Sequence, residues 1–153
     1  MDLTTHLAVG IFLYKVFGNP WLILLSVIFD FDHLFGYLYD SRKKIRLEIP
    51  KLYRLAYRPR SWFHSILMVP ILAIIFLQIV PWKQSVLALT IHLLLDMPDR
   101  EGIYIVPFLS KKKIRGPLPV AYYIKHEKRK IKKSFHIISL TLTTIFILLS
   151  ILY

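Results

Sequence analysis

The stretch WLILLSVIFDFDHLFGYLY, Trp21 to Tyr39, sets Asp30, Asp32 and His33 into an otherwise apolar, aromatic run. Taking a charged group out of water into lipid or packed protein is costly unless it is paired or bound to a cation. Three ionisable residues within four positions therefore call for a compensating partner. With imidazole and carboxylate as the donors on offer, a metal ion is the natural candidate.

The rest of the composition frames this cluster. The chain has 153 residues, 56% of them hydrophobic and 20% charged, a balance that predicts one domain, 1–153, and points to a membrane protein. Of its 21 Lys and Arg, eight lie between Arg42 and Arg60 and ten between Lys111 and Lys133, so the net charge of +12 sits in two islands. A soluble DNA-binding protein also reaches such a charge, but not with the apolar runs Ser61 to Val80 and Ser134 to Tyr153. Each run has the roughly 20 residues that cross about 30 Å of hydrocarbon. The absence of Cys excludes disulfides and thiolate ligands, so a metal must be held by His and carboxylate. Asp2 stands where a secretory signal carries basic residues, and the N-terminal apolar stretch is expected to be a retained helix.

Read in order, the chain predicts an all-α integral membrane bundle of four to five helices. The first covers 3 to 17 and ends at Gly18-Asn19-Pro20, with Pro placed to begin the next. The second runs from Trp21 to Tyr39. The third runs from Ser61 to Val80, kinked at Pro70, and the fourth from Gln84 to Met97. The first and fourth are short for spanning. A polar, Pro-containing surface segment separates the fourth from the last span. The positive-inside rule places both basic islands, and the N-terminus, in the cytoplasm of a multi-pass cell-membrane protein built as two hairpins and a final span.

That topology brings four polar groups to one depth near the cytoplasmic face: His6, the Asp30 to His33 cluster, His64, and His92 with Asp96. His92 and Asp96 are i,i+4 and share a helix face, and Asp30 and His33 are i,i+3 and do the same. Helical bundles build metal sites from such inward pairs. Asp32 points elsewhere on a regular helix, and becomes a ligand only if the helix frays, or else orients a His from behind. The candidate ligands are thus His6, Asp30, His33, His64, His92 and Asp96, for one or two divalent ions, zinc first. Asp30 doubles as a general base and Arg60 is placed to bind an anion with its planar fork. The plainer readings are hydrogen bonds between packed helices for His92 and Asp96, a helix contact for His6 beside Gly10, and interface positions for His126 and His136.

Thr5-His6 with Gly10, Asp30-Phe31-Asp32-His33, Arg60-Ser61-Trp62-Phe63-His64-Ser65, and His92-Leu93-Leu94-Leu95-Asp96 with Gly102 and Pro107 occur in that order along the chain. In this they resemble the motifs of the membrane-bound metal-dependent hydrolases, the family that includes the LexA-regulated inner-membrane members of bacteria. The resemblance covers residues 5 to about 108. It departs where the family often has His-Arg-Gly and this chain has Pro59-Arg60-Ser61. The family is similar at a distance to zinc-dependent phospholipases C and single-strand-specific nucleases, which hold zinc with His and Asp on helices. The resemblance therefore implies hydrolysis of a phosphoester or a lipid-linked phosphate. The ion would polarise the phosphoryl oxygen and activate water.

The basic islands interleave Tyr53, Tyr57, Trp62, Tyr122 and Tyr123, a composition read as anchoring to anionic membrane lipid rather than to a specific nucleic acid. Two other classes compete with an enzyme. A transporter or ion pathway would use the same residues as a relay, although such sites tend to lie near the midplane. A membrane-anchored interaction protein would use the basic segments and leave His92 and Asp96 without a role.

Overall fold

The computed structural model of the chain describes residues 3–32, 62–98, 102–107, 112–117 and 133–153. Helix α1 (Leu3–Phe17) and helix α2 (Trp21–Val27) are joined by the turn that Gly-Asn-Pro predicts. Gly18 takes a φ of 71°, and its N–H donates to the Tyr14 carbonyl at 2.7 Å, while Asn19 Oδ1 accepts the Trp21 N–H at 3.1 Å. The two helices pack closely because Gly10 has no side chain: a methyl there would lie 2.8 Å from Ile23 Cα.

Helix α3 (Met68–Ile75) and helix α4 (Trp82–Asp96) come next, and helix α5 (Lys133–Leu152) ends the chain. Helix α1 packs between α2 and α5, and α4 packs on both α2 and α3. The core runs through their inner faces: Val9 and Leu13 from α1, Leu22 and Leu25 from α2, Leu72 from α3, and Ala88, Leu89 and Leu93 from α4. Phe29 and Ile103 close it at the end that carries the polar residues, both with no exposed surface.

The expected integral membrane bundle is overturned. Among the described residues no helix is long and apolar enough to cross a membrane. The second predicted helix is interrupted at Val27, whose φ of −118° and ψ of 0° leave the α region; a 3-10 turn covers Ile28–Asp30, helix resumes at residues 31–32, and 33–39 of the predicted range lie outside the described residues. The third shrinks from the predicted 20 residues to the eight of α3, because residues 64–67 are drawn into backbone pairing with a later segment and residues 76–80 wind into turns. Pro70 consequently falls in the first turn of α3, where its missing N–H costs nothing, and the predicted kink has no place. Helices α1 and α4, at 15 residues each, reach about 23 Å. Helix α5 has 20 residues, of which the 16 at 137–152 are described with their side chains. The two-hairpin membrane topology has no helix among these on which to rest.

The polar segment after α4 also holds structure that an all-helical reading lacks. Strands β1 (Ile103–Tyr104) and β2 (Lys113–Ile114) pair antiparallel, with Ile103 opposite Ile114 and Tyr104 opposite Lys113. Two residues per strand leave no alternation to detect. On its other edge β1 holds the chain around His64: the Tyr104 N–H donates to the His64 carbonyl and the Tyr104 carbonyl accepts the Ile66 N–H, both at 3.0 Å. Gly102 enters β1 with φ at 65°, and a methyl there would strike the Ile114 carbonyl oxygen, so glycine is required on both counts.

Candidate metal centre

Four elements deliver polar side chains to one buried point. His6 comes from the first turns of α1, His92 and Asp96 from the last two turns of α4, and His64 from the segment pinned by β1. Asp30 closes the 3-10 turn, two residues before Asp32. The tighter winding at Ile28–Asp30, three residues per turn instead of 3.6, re-aims the chain beyond it, so that Asp32 reaches His64.

The carboxylate of Asp96, 1% exposed, is the hub. Its Oδ1 accepts a hydrogen bond from His6 Nε2 at 3.2 Å. Its Oδ2 faces His92 Nε2 at 3.4 Å and His64 Nε2 at 3.5 Å. Each of the latter two rings is fixed from behind. His64 Nδ1 donates to Asp32 Oδ2 at 2.8 Å, and His92 Nδ1 donates to the Ser26 carbonyl at 2.6 Å. A carbonyl can only accept, so the hydrogen of a neutral His92 sits on Nδ1 and its lone pair on Nε2 faces the hub. The rings of His6 and His92 stack, with centroids 3.7 Å apart and planes 15° from parallel, whereas those of His64 and His92 are inclined by 53°. Phe29 walls the cluster, its ring centroid 5.1 Å from that of His92 and 5.6 Å from that of His64.

Burial, and next the neighbouring His92, lower the pKa of His6 against the pull of Asp96 and Asp30. Burial also pulls His64 down, but the polar contacts with Asp32 and Asp96 and the charge of both outweigh it, so its pKa is raised. His6 Nδ1, Asp30 Oδ2 and His92 Nε2 are buried and make no hydrogen bond among the described residues. Buried polar atoms without partners are uncommon and expensive.

Two donor triads each gather their ligand atoms within 4.8 Å of one another: His6, Asp30 and His92, and His64, His92 and Asp96. Of the residues picked out from the sequence, His6, Asp30, Asp32, His64, His92 and Asp96 meet in this cluster. His33, Arg60 and His126 lie outside the described residues, as does Pro59, and for His136 only the backbone of α5 is described. Sequence reasoning missed the Ser26 carbonyl, which as a backbone group leaves no signature. It also missed Phe29 as the wall, and it picked out Thr5 only as a motif residue without the role of its buried hydroxyl, which bonds Ser139 Oγ at 2.8 Å and Thr143 Oγ1 at 3.0 Å, tying α1 to α5 beside His6.

Comparison of the chain with family models, with curated proteins and with solved structures finds no match. The donor set itself, imidazoles and carboxylates in an apolar shell with ring nitrogens aimed at one point, fits a divalent ion such as zinc.

Proposed function

We propose that the chain is a metal-dependent hydrolase of a phosphoester or lipid-linked phosphate, with one divalent ion held by His64, His92 and Asp96. The observation that carries the metal is a set of distances. Asp96 Oδ2 stands 3.4 Å from His92 Nε2 and 3.5 Å from His64 Nε2. In a tetrahedral site with bonds of 2.0–2.1 Å, neighbouring ligand atoms are separated by about 3.3 Å. Both contacts are long for a hydrogen bond, yet all three residues are buried together.

A bound ion supplies Lewis-acid polarisation of a phosphoryl oxygen. The protein does the rest. Asp32 and the Ser26 carbonyl hold two imidazoles with their Nε2 atoms inward, and Phe29 keeps bulk water off them. The Asp30 carboxylate, within 4.8 Å of a His92 ring nitrogen, takes the proton of the attacking water. The choice of phosphoester rests on the resemblance to the metal-dependent hydrolases and on the net charge of +12, which draws an anionic substrate. A lipid-linked substrate at an anionic lipid surface suits the exposed Ile74, Ile75 and Leu77 at the end of α3 and just beyond it, and Leu140, Leu148 and Ile151 on α5.

The direct test is turnover of bis(4-nitrophenyl) phosphate by purified chain loaded in turn with zinc, manganese and iron. Hydrolysis that stops on chelation and is absent in His92→Ala is expected. Loaded protein that cleaves neither this probe nor a phospholipid contradicts the hydrolase reading.

The ion's affinity should also depend on pH in a definite direction. A metal needs His64 neutral, and its raised pKa keeps the proton on to higher pH than usual. Affinity therefore falls as pH drops through that pKa, by about tenfold per unit once one proton must leave for each ion bound. In the metal-free fold the sign reverses: the raised pKa adds stability at pH below the unfolded value, and this is lost as pH rises through the folded one. Zinc titrations at a series of pH values check the first slope and thermal melts of stripped protein the second.

A further inference from the structure

Resting on the metal reading above, we infer that His6 lies outside the coordination sphere and is the positioning residue for Asp96, so that the two overlapping triads are a single one-ion site with three protein ligands. The lone pair of an imidazole nitrogen lies in the plane of its ring. An ion on His92 Nε2 therefore sits in the plane of His92. The His6 ring is stacked on His92 with centroids 3.7 Å apart and only 15° between the planes, so the two planes do not meet within a bond length of both rings. His6 and His92 cannot share an ion in this arrangement. The planes of His64 and His92, 53° apart, do converge.

The proton on His6 leads to the same assignment. His6 Nε2 makes a hydrogen bond to Asp96 Oδ1, and a carboxylate accepts, so Nε2 carries the hydrogen and the lone pair is left on Nδ1, in a ring plane that does not converge with that of His92. Oδ1 is thereby occupied and Oδ2 is left facing His64 and His92. His92 has one lone pair, because its Nδ1 is committed to the Ser26 carbonyl, and one lone pair serves one ion. The result is a regular pattern. Each ligand is held by one group behind it: His64 by Asp32, His92 by the Ser26 carbonyl and Asp96 by His6. Three protein ligands leave the fourth position of a tetrahedral ion open to substrate or water, the arrangement of catalytic rather than structural zinc sites.

The test is zinc affinity and stoichiometry, by competition against a chromophoric chelator, for the full chain and for His6→Gln, His6→Ala and His64→Ala, beside the visible absorption of bound Co²⁺. Glutamine can still donate to Asp96 but is a poor metal ligand. One ion per chain in the wild type, one in His6→Gln with an unchanged Co²⁺ spectrum, one in His6→Ala with affinity about 10–100-fold weaker, and none in His64→Ala are expected. An ion lost in His6→Gln, a shifted Co²⁺ spectrum, or two ions in the wild type would overturn the placement of His6 while leaving the metal site standing. No ion in the wild type would overturn both.

Discussion

Asp96→Ala is expected to weaken zinc binding by more than about 100-fold, beyond what the loss of an outer hydrogen bond gives. Asp96 reaches three imidazoles at once, with Oδ1 on His6 and Oδ2 facing His64 and His92. Its removal takes away a ligand and the negative charge at the hub. Asp96→Asn separates the two contributions. The amide oxygen can still accept from His6 Nε2, so the fold is kept, but a neutral ligand holds a divalent ion less tightly than a carboxylate. The asparagine variant should therefore melt near the wild-type temperature and still bind zinc poorly. Equal zinc affinity in wild type and Asp96→Asn would remove Asp96 from the ligand set.

Phe29→Ala should cost about 3–5 kcal/mol of stability, the range for deleting a fully buried Phe. Phe29 has no exposed surface and packs between Phe63, His64 and His92, with ring centroids 5.6, 5.6 and 5.1 Å away. The cavity left would border polar rings and would admit water. Water at that point competes for His64 and His92, so zinc affinity should fall along with the melting temperature. Phe29→Leu, which keeps most of the volume, should recover the larger part of both. Urea unfolding of metal-free protein reads the stability, and a loss under about 1 kcal/mol would mean that the site is not walled by this ring.

Half of the hub is legible in the sequence. The i,i+4 spacing of His92 and Asp96 puts both on one face of a helix, and α4 carries them that way. The membrane topology that draws His6, Asp30 and His64 to the same place is a different matter, because they meet where no described helix is long and apolar enough to cross a membrane. The long apolar runs explain the error. Leu22, Leu25, Leu72, Leu89 and Leu93 satisfy one another in a core, which a hydropathy count does not distinguish from lipid. Breaks inside those runs are hidden as well. The departure at Val27 is a local dihedral change in a residue that also suits a helix, and the pinning of residues 64–66 is made by the backbone of Tyr104, far along the chain. Asp32 is expected to become a ligand only where its helix frays and otherwise to orient a His from behind; it follows the 3-10 turn and accepts from His64 Nδ1.

Whether the buried cluster holds an ion is read by elemental mass spectrometry of the purified chain after exposure to zinc and removal of excess, beside Asp96→Ala. One equivalent of zinc in the wild type and none in the variant is the expected result. A wild type that retains no zinc, and none after the same exposure to manganese or iron, would leave His6, His64, His92 and Asp96 as a buried hydrogen-bonded cluster and contradict the account.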